Sequence, residues 1–360
     1  MTLPNRTALI PGTALALATV AAIVVGSTGM RHFDPALTGY AIGALIAAFA
    51  IGYRFAVWAA RPPSRMYFRR GLQLLFRRTG RAPRTEDGTA NSTRTIPHAA
   101  GTLGYALARN FVAQEFIRQR GAFRWIMHLC LSGGCTLAFA ITFPLVFGWV
   151  HFESFTDNAE MYRVVAFGAR VDSFSIHSFK AFLLFNLLNI SGIIVLIGLV
   201  MTGWRRLTDP GERSTQSFSE DFVPLILIFA VATTGLALTV SYHFLAGRGH
   251  GLWAIIHMVS VVTLLIYIPF GKLFHMFQRT CALCVSRYRR VGADGPRAHC
   301  RRCRADFASQ MHVDDLKIVL DELGFDYRFA GAQGETHYQD ICPACRRSLL
   351  ALNQGRTLGR

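Results

Sequence analysis

The chain has 360 residues, of which 52% are hydrophobic and 16% charged, and its formal net charge is +17. With mean hydropathy at +0.31, this composition excludes a disordered chain and an ordinary soluble domain, where charged residues make up about 25%. The basic excess falls in a few connections between apolar runs, so it reads as a membrane-topology signal, and no nucleic-acid partner is expected.

Apolar runs of this length point to spanning helices, and six occur, at about 8–27, 37–60, 125–149, 178–203, 222–245 and 252–277. The first follows Arg6 and resembles a signal peptide, but it lacks a small-residue cleavage site before a soluble domain. It reads as a retained helix, giving residues 1–60 as an N-terminal transmembrane hairpin. Residues 61–124 form a basic connection with thirteen Arg. Within it, 79–100 is small, polar and aperiodic, a flexible loop, whereas 103–120 carries apolar positions at helical spacing and predicts an interfacial amphipathic helix. Residues 125–277 make the main transmembrane bundle and 278–360 a small soluble tail. The tail predicts a helix over about 313–323, stopped by Gly324, then a short strand at FDYRF.

Arg205, Arg206 and Arg213 lie in the loop 204–221, and the tail after 278 holds thirteen Arg. The remaining connections hold only Arg31, Arg163, Arg170 and Arg248. The positive-inside rule then puts both termini, the basic loops and the tail in the cytoplasm. The expected location is the inner (cytoplasmic) membrane of a prokaryote, with anionic lipid as a contact.

Histidines mark both edges of the bundle. His128 opens the third span, and His257 and His275 lie 18 residues apart on the sixth. On one continuous helix that spacing is about five turns, or about 27 Å, with both rings on one face. Ionisable groups are costly in the membrane and usually functional. A bis-histidine b haem needs two imidazoles at one depth on facing helices, and His128 and His275 meet that requirement. The alternative is two interfacial histidines bonded to headgroups or backbone. His257, at the outer edge, needs a partner from another helix end, His177 or His243, while His151 and His250 lie in outer loops. Lys180 either snorkels to headgroups or donates to a quinone carbonyl. Cys130 and Cys135 read as apolar filler.

The tail carries three CxxC pairs, Cys281/Cys284, Cys300/Cys303 and Cys342/Cys345. In a cytoplasmic tail, structural disulfides are disfavoured and paired knuckles suit a tetrahedral ion. Cys300/Cys303 with Cys342/Cys345 gives a treble-clef or ribbon-type module, and Cys281/Cys284 with Cys300/Cys303 is the other pairing. Zn is the expected ion, with Fe the alternative. No ferredoxin-type cysteine run is present.

Four stretches carry a resemblance over about 103–277: FRWIMHL, IIVLIGLVMTGWRRLTDPGER, DFVPLILIFAVATTGLALTV and IIHMVSVVTLLIYIPFGKLFHMF. They resemble the membrane cytochrome b (gamma) subunit of respiratory nitrate reductase and the related heterodisulfide-reductase-type membrane cytochrome b subunits. The resemblance implies five helices, two b haems and a quinol site at the outer haem. It implies His128 and His275 as inner-haem ligands, His257 as one outer ligand and Lys180 beside the quinol pocket. The family's second outer ligand falls at Ala138, so either His177 or His243 substitutes or a single haem is bound. The first span and the cysteine tail lie outside the family pattern.

The expected fold is thus an all-α membrane protein of six helices, five forming a haem-binding bundle, with a cytoplasmic zinc-ribbon-like tail. The expected function is electron exchange between the quinone pool and a cytoplasmic iron–sulfur or molybdenum-type oxidoreductase partner. The competing expectation is a non-redox membrane anchor or sensor working through the zinc module. A transporter is disfavoured, because no second similar half is present.

Overall fold

The computed structural model describes residues 6–76, 104, 108–331 and 334–359. The expected flexible loop at 79–100 lies outside them. The described residues are mostly helical, and six helices are long and apolar enough to cross a membrane: Arg6–Gly26, Pro35–Ala60, Ala122–Val146, Phe179–Thr208, Phe218–Phe244 and His250–Tyr267. The chain is a multi-pass membrane protein. It divides into two compact units, Met1–Ala56 with Ile96–His275, and Val57–Thr95 with Met276–Arg360.

In the first unit the apolar helices pack through small residues, as expected where lipid gives no hydrophobic drive between helices. A Cβ on Gly198 would lie 2.7 Å from the backbone N of Leu131, so only glycine lets the third and fourth spans approach there. Ser191 is fully buried, and its hydroxyl donates to the Leu188 carbonyl at 2.7 Å.

Two helical expectations are corrected. The amphipathic helix expected over 103–120 is broken in its described part. Ala108–Val112 forms a π-turn, Gln114 turns into the left-handed region at φ 50°, and only Glu115–Arg118 resumes an α-helix. The sixth span is not one helix to residue 277. It ends at Tyr267, and a turn and a 3-10 segment, Lys272–Phe274, precede a short helix at His275–Gln278. Pro269 has no N–H for the helix ladder. Tyr267 O instead accepts from Phe270 N at 3.0 Å and Gly271 N at 2.8 Å. His257 and His275 therefore lie on separate helices and do not share one helix face.

The connection expected as an outer loop at 151–177 contains a three-stranded antiparallel sheet, β1 Val150–Ser154, β2 Met161–Ala166 and β3 Ala169–Ser175. Val150 pairs with Ala166, and Ala166 with Ala169. Phe167 and Gly168, at φ 50° and 77°, make the two-residue turn, the primed geometry that suits a hairpin. Phe152, Tyr162 and Phe174 pack around Phe185 of the fourth span in tilted and edge-on contacts at ring distances of 5.3–5.9 Å.

In the second unit the tail folds with helix Pro62–Phe76. Met66 packs with Tyr288 and Val319, flanked by Tyr67, Leu74 and Met311. Asp315, 4% exposed, accepts from Tyr288 at 2.8 Å and Arg70 at 3.0 Å. Strands β4 Arg297–His299 and β5 Asp306–Ser309 form one hairpin, and β6 Arg328–Gly331 and β7 Gly334–His337 another. Helix Gln310–Glu322 lies between them, and helix Pro343–Thr357 closes the tail. The helix expected at 313–323 is present three residues longer at its start.

Candidate metal centre and membrane histidines

Cys300 and Cys303 sit in the turn of the β4–β5 hairpin, which Arg304 closes in the left-handed region, its N–H donating to the Cys300 carbonyl at 2.8 Å. Cys342 caps the Pro343–Thr357 helix and Cys345 lies in its first turn. The two knuckles meet. All four Sγ atoms lie within 4.8 Å of one another, and Cys303 Sγ and Cys342 Sγ are 3.7 Å apart. Four thiolates on one tetrahedral ion at about 2.3 Å stand about 3.8 Å apart, so the donor set fits such an ion. The floor is apolar: Cys300 is fully buried, Ile341 is 3% exposed, and Phe307 and Leu349 pack against them.

The protonation chemistry agrees. Burial raises the Cys300 thiol, but backbone N–H donors of Cys342, Cys303 and Arg302 outweigh it and bring it down to about 6. Burial and the neighbouring thiols push Cys345 up to about 12. Four clustered sulfurs cannot all ionise without a cation to share, and a divalent ion supplies that charge.

Of the two pairings left open by the sequence, Cys300/Cys303 with Cys342/Cys345 is the one brought together. Cys281 and Cys284 are buried elsewhere in the same unit, where burial raises both thiols. A Cβ on Gly71 would lie 2.3 Å from Cys284 Cβ, so this pair fills a close helix crossing.

His128 ends the Ala122–His128 helix, where the chain enters a second π-turn, Leu129–Gly133. Its Nδ1 is 2.6 Å from Gln114 Oε1 and 3.2 Å from Ser132 Oγ. His257 Nδ1 meets Thr234 Oγ1 at 2.9 Å, its ring lies 6.4 Å from that of Tyr40, and a Cβ on Gly235 would come within 3.2 Å of its Cε1. His275 Nδ1 donates to the Lys272 carbonyl at 2.7 Å. Of the five histidines expected as haem ligands, His128, His257 and His275 are thus hydrogen-bonded through Nδ1.

The other expected residues lie against different partners. His177 is exposed, 3.8 Å from Glu160, and His243 is exposed with its ring edge-on to Tyr242. Lys180 forms an ion pair with Asp172 of β3 and lies 5.6 Å from the Phe174 ring centre. The hydrogen bond from Lys180, with one from the Ser173 N–H, holds the Asp172 carboxyl below its ordinary range.

Sequence reasoning missed Asp221. It is 6% exposed and accepts from Lys272 Nζ at 2.6 Å, Arg206 Nη2 at 3.1 Å and the Ser217 N–H at 2.9 Å. Nothing local in the sequence separates it from its neighbour Glu220 as the buried acid, because Arg206 and Lys272 come from distant segments. The chain matches no protein family, no curated protein and no solved structure.

Proposed function

We propose that the chain is a membrane cytochrome b subunit that exchanges electrons between quinone and an oxidoreductase partner on the side of the cysteine tail. The observation that supports it is the common treatment of His128, His257 and His275. Anchoring of the distal ring nitrogen is how proteins orient an imidazole that ligates metal through the other. His128 and His275 are proposed as the ligands of one b haem. His257 is proposed for a second, with His177 or His243 as the candidate partner. Bound haem supplies one-electron chemistry, with potential tuned by its axial ligands and their hydrogen bonds.

The chain's own residues position and insulate. Thr234 and Gly235 hold and make room for the His257 ring, and Lys180 with Asp172 sets a charged group at the start of the Phe179–Thr208 helix. Quinone is the proposed membrane-borne substrate near Lys180 and His257. The tail binds Zn, or Fe in the alternative, at Cys300, Cys303, Cys342 and Cys345, and offers a docking surface for an iron–sulfur partner. The arginine distribution supports a prokaryotic inner-membrane location with both termini cytoplasmic. Stopped-flow mixing of the haem-loaded protein with a water-soluble quinol tests the assignment. Haem reduction within seconds, slowed in Lys180→Met, is the expected result, and no reduction contradicts it.

The assembled four-cysteine cluster favours a second reading, a non-redox membrane anchor or sensor acting through its metal module. That reading requires a chain without haem whose partner binding survives His128→Ala.

A further inference from the structure

The turn before the third span carries a buried amide aimed at one of the membrane histidines. Gln114 is 7% exposed and left-handed, at φ 50° and ψ 43°. Such a backbone is strained for any residue but glycine and persists only where its surroundings hold it. Two features hold this one. The Trp125 indole N–H donates to the Ala113 carbonyl at 2.7 Å, and Arg118 lies over the Trp125 ring at 5.5 Å.

The hydrogen bonds fix the orientation of the amide. Gln114 Nε2 donates to Ser132 Oγ at 2.6 Å and to the Phe111 carbonyl at 3.4 Å. A carbonyl oxygen only accepts, so the amide nitrogen must face Phe111 and Oε1 must face His128. Oε1 also only accepts, so His128 Nδ1, 2.6 Å away, carries the proton. The Ser132 hydroxyl has committed its own proton to the His128 carbonyl at 2.7 Å, so it presents only lone pairs to Nδ1 at 3.2 Å. Ser132 itself lies in the π-turn Leu129–Gly133. A strained residue and a π-turn, both recurrent at functional sites, therefore converge on one imidazole.

We infer that Gln114 is the positioning residue of His128. It fixes the ring as the Nδ1-protonated tautomer, with Nε2 as the basic nitrogen that binds metal. The consequence for cofactor binding rests on the haem reading above. The tautomer itself does not.

The test uses the full-length protein in detergent, with Gln114→Gly, Gln114→Met and Ser132→Ala. Glycine relieves the left-handed strain while removing the amide, so its effects are not those of a misfolded turn. Partners behind a metal-bound histidine typically contribute about 10–100-fold in affinity. Haem titration is expected to weaken about ten-fold or more in both Gln114 variants, with a shifted low-spin electron paramagnetic resonance signal for one haem. On haem-free protein, ¹⁵N-histidine spectra are expected to show Nε2 of His128 unprotonated in the wild type and a tautomer mixture in Gln114→Gly. Wild-type haem affinity and signal in both Gln114 variants overturns the inference. So does an Nε2-protonated His128 in the haem-free wild type. A wild-type chain that binds no haem overturns the haem reading, and the nitrogen spectra then decide the inference alone.

Discussion

Asp221 and Lys272 meet at 2.6 Å, although 51 residues separate them in sequence. Through its carbonyl the same lysine accepts a hydrogen bond from His275 Nδ1. One carboxylate thus anchors the start of the fifth span, the end of the fourth through Arg206, and the segment that presents His275.

Removing that carboxylate leaves Arg206, 17% exposed at its side chain, without its partner. Losing one member of a buried pair typically costs about 3–5 kcal/mol. Asp221→Ala should therefore lower the thermal midpoint strongly in detergent. Lys272 is 55% exposed, and an exposed pair contributes about 1 kcal/mol or less. Lys272→Met should leave the midpoint nearly unchanged. Equal effects of the two would contradict a clamp centred on Asp221.

The metal assignment separates the six tail cysteines. Elemental analysis of the purified chain should find one Zn or Fe per chain. Cys300→Ser and Cys342→Ser should abolish it, while Cys281→Ser and Cys284→Ser retain full stoichiometry, because the assembled cluster is made of Cys300, Cys303, Cys342 and Cys345. Chelation should loosen the tail and raise proteolysis within 297–357, since binding and folding free energy are shared in such modules.

The tail should also lose stability in acid. Burial holds the His312 imidazole below its ordinary range, with Arg289 reinforcing and Asp315 opposing. The folded tail then binds fewer protons at this site than the unfolded chain. The stability this group contributes is full above the unfolded histidine value, about 6.5, and is lost as pH falls from there towards the lower folded value. Midpoints measured from pH 8 to pH 5 should fall, and His312→Gln should flatten part of that slope. An unchanged slope would show that His312 does not titrate on unfolding.

Gly198→Leu tests the packing of the third and fourth spans. A first side-chain carbon already lies 2.7 Å from the Leu131 backbone, and backbone cannot yield as a side chain does. Overpacking of this kind costs about 1–3 kcal/mol or more. The variant should show reduced expression and a lower midpoint, while Gly203→Leu, which meets nothing within 4 Å, should behave as wild type.

Much of this architecture was legible because bilayer length constrains it: all six spans follow from apolar runs. The CxxC knuckles were legible from spacing, but the choice between their two possible pairings was not, because it depends on the fold that brings Cys300/Cys303 against Cys342/Cys345. In the misses, local signals were overruled by one residue or were lacking. Pro269 ended a span whose hydropathy continued to residue 277. Gln114 broke an amphipathic pattern, with no glycine to announce a left-handed turn. The sheet at 150–175 was missed because Val164-Val165-Ala166 does not alternate and Phe167-Gly168 is not one of the usual hairpin dipeptides. Asp221 was invisible as an anchor because its partners come from distant segments.

His128 and His275 are the proposed ligands of the first haem. The deciding measurement is a dithionite-reduced minus oxidised spectrum of the purified chain, made with ample haem supply, with haem counted per chain. Haem ligation by His128 and His275 predicts a b-type spectrum with at least one haem per chain, lost in His128→Ala and in His275→Ala. A wild-type chain with no haem under those conditions would contradict it.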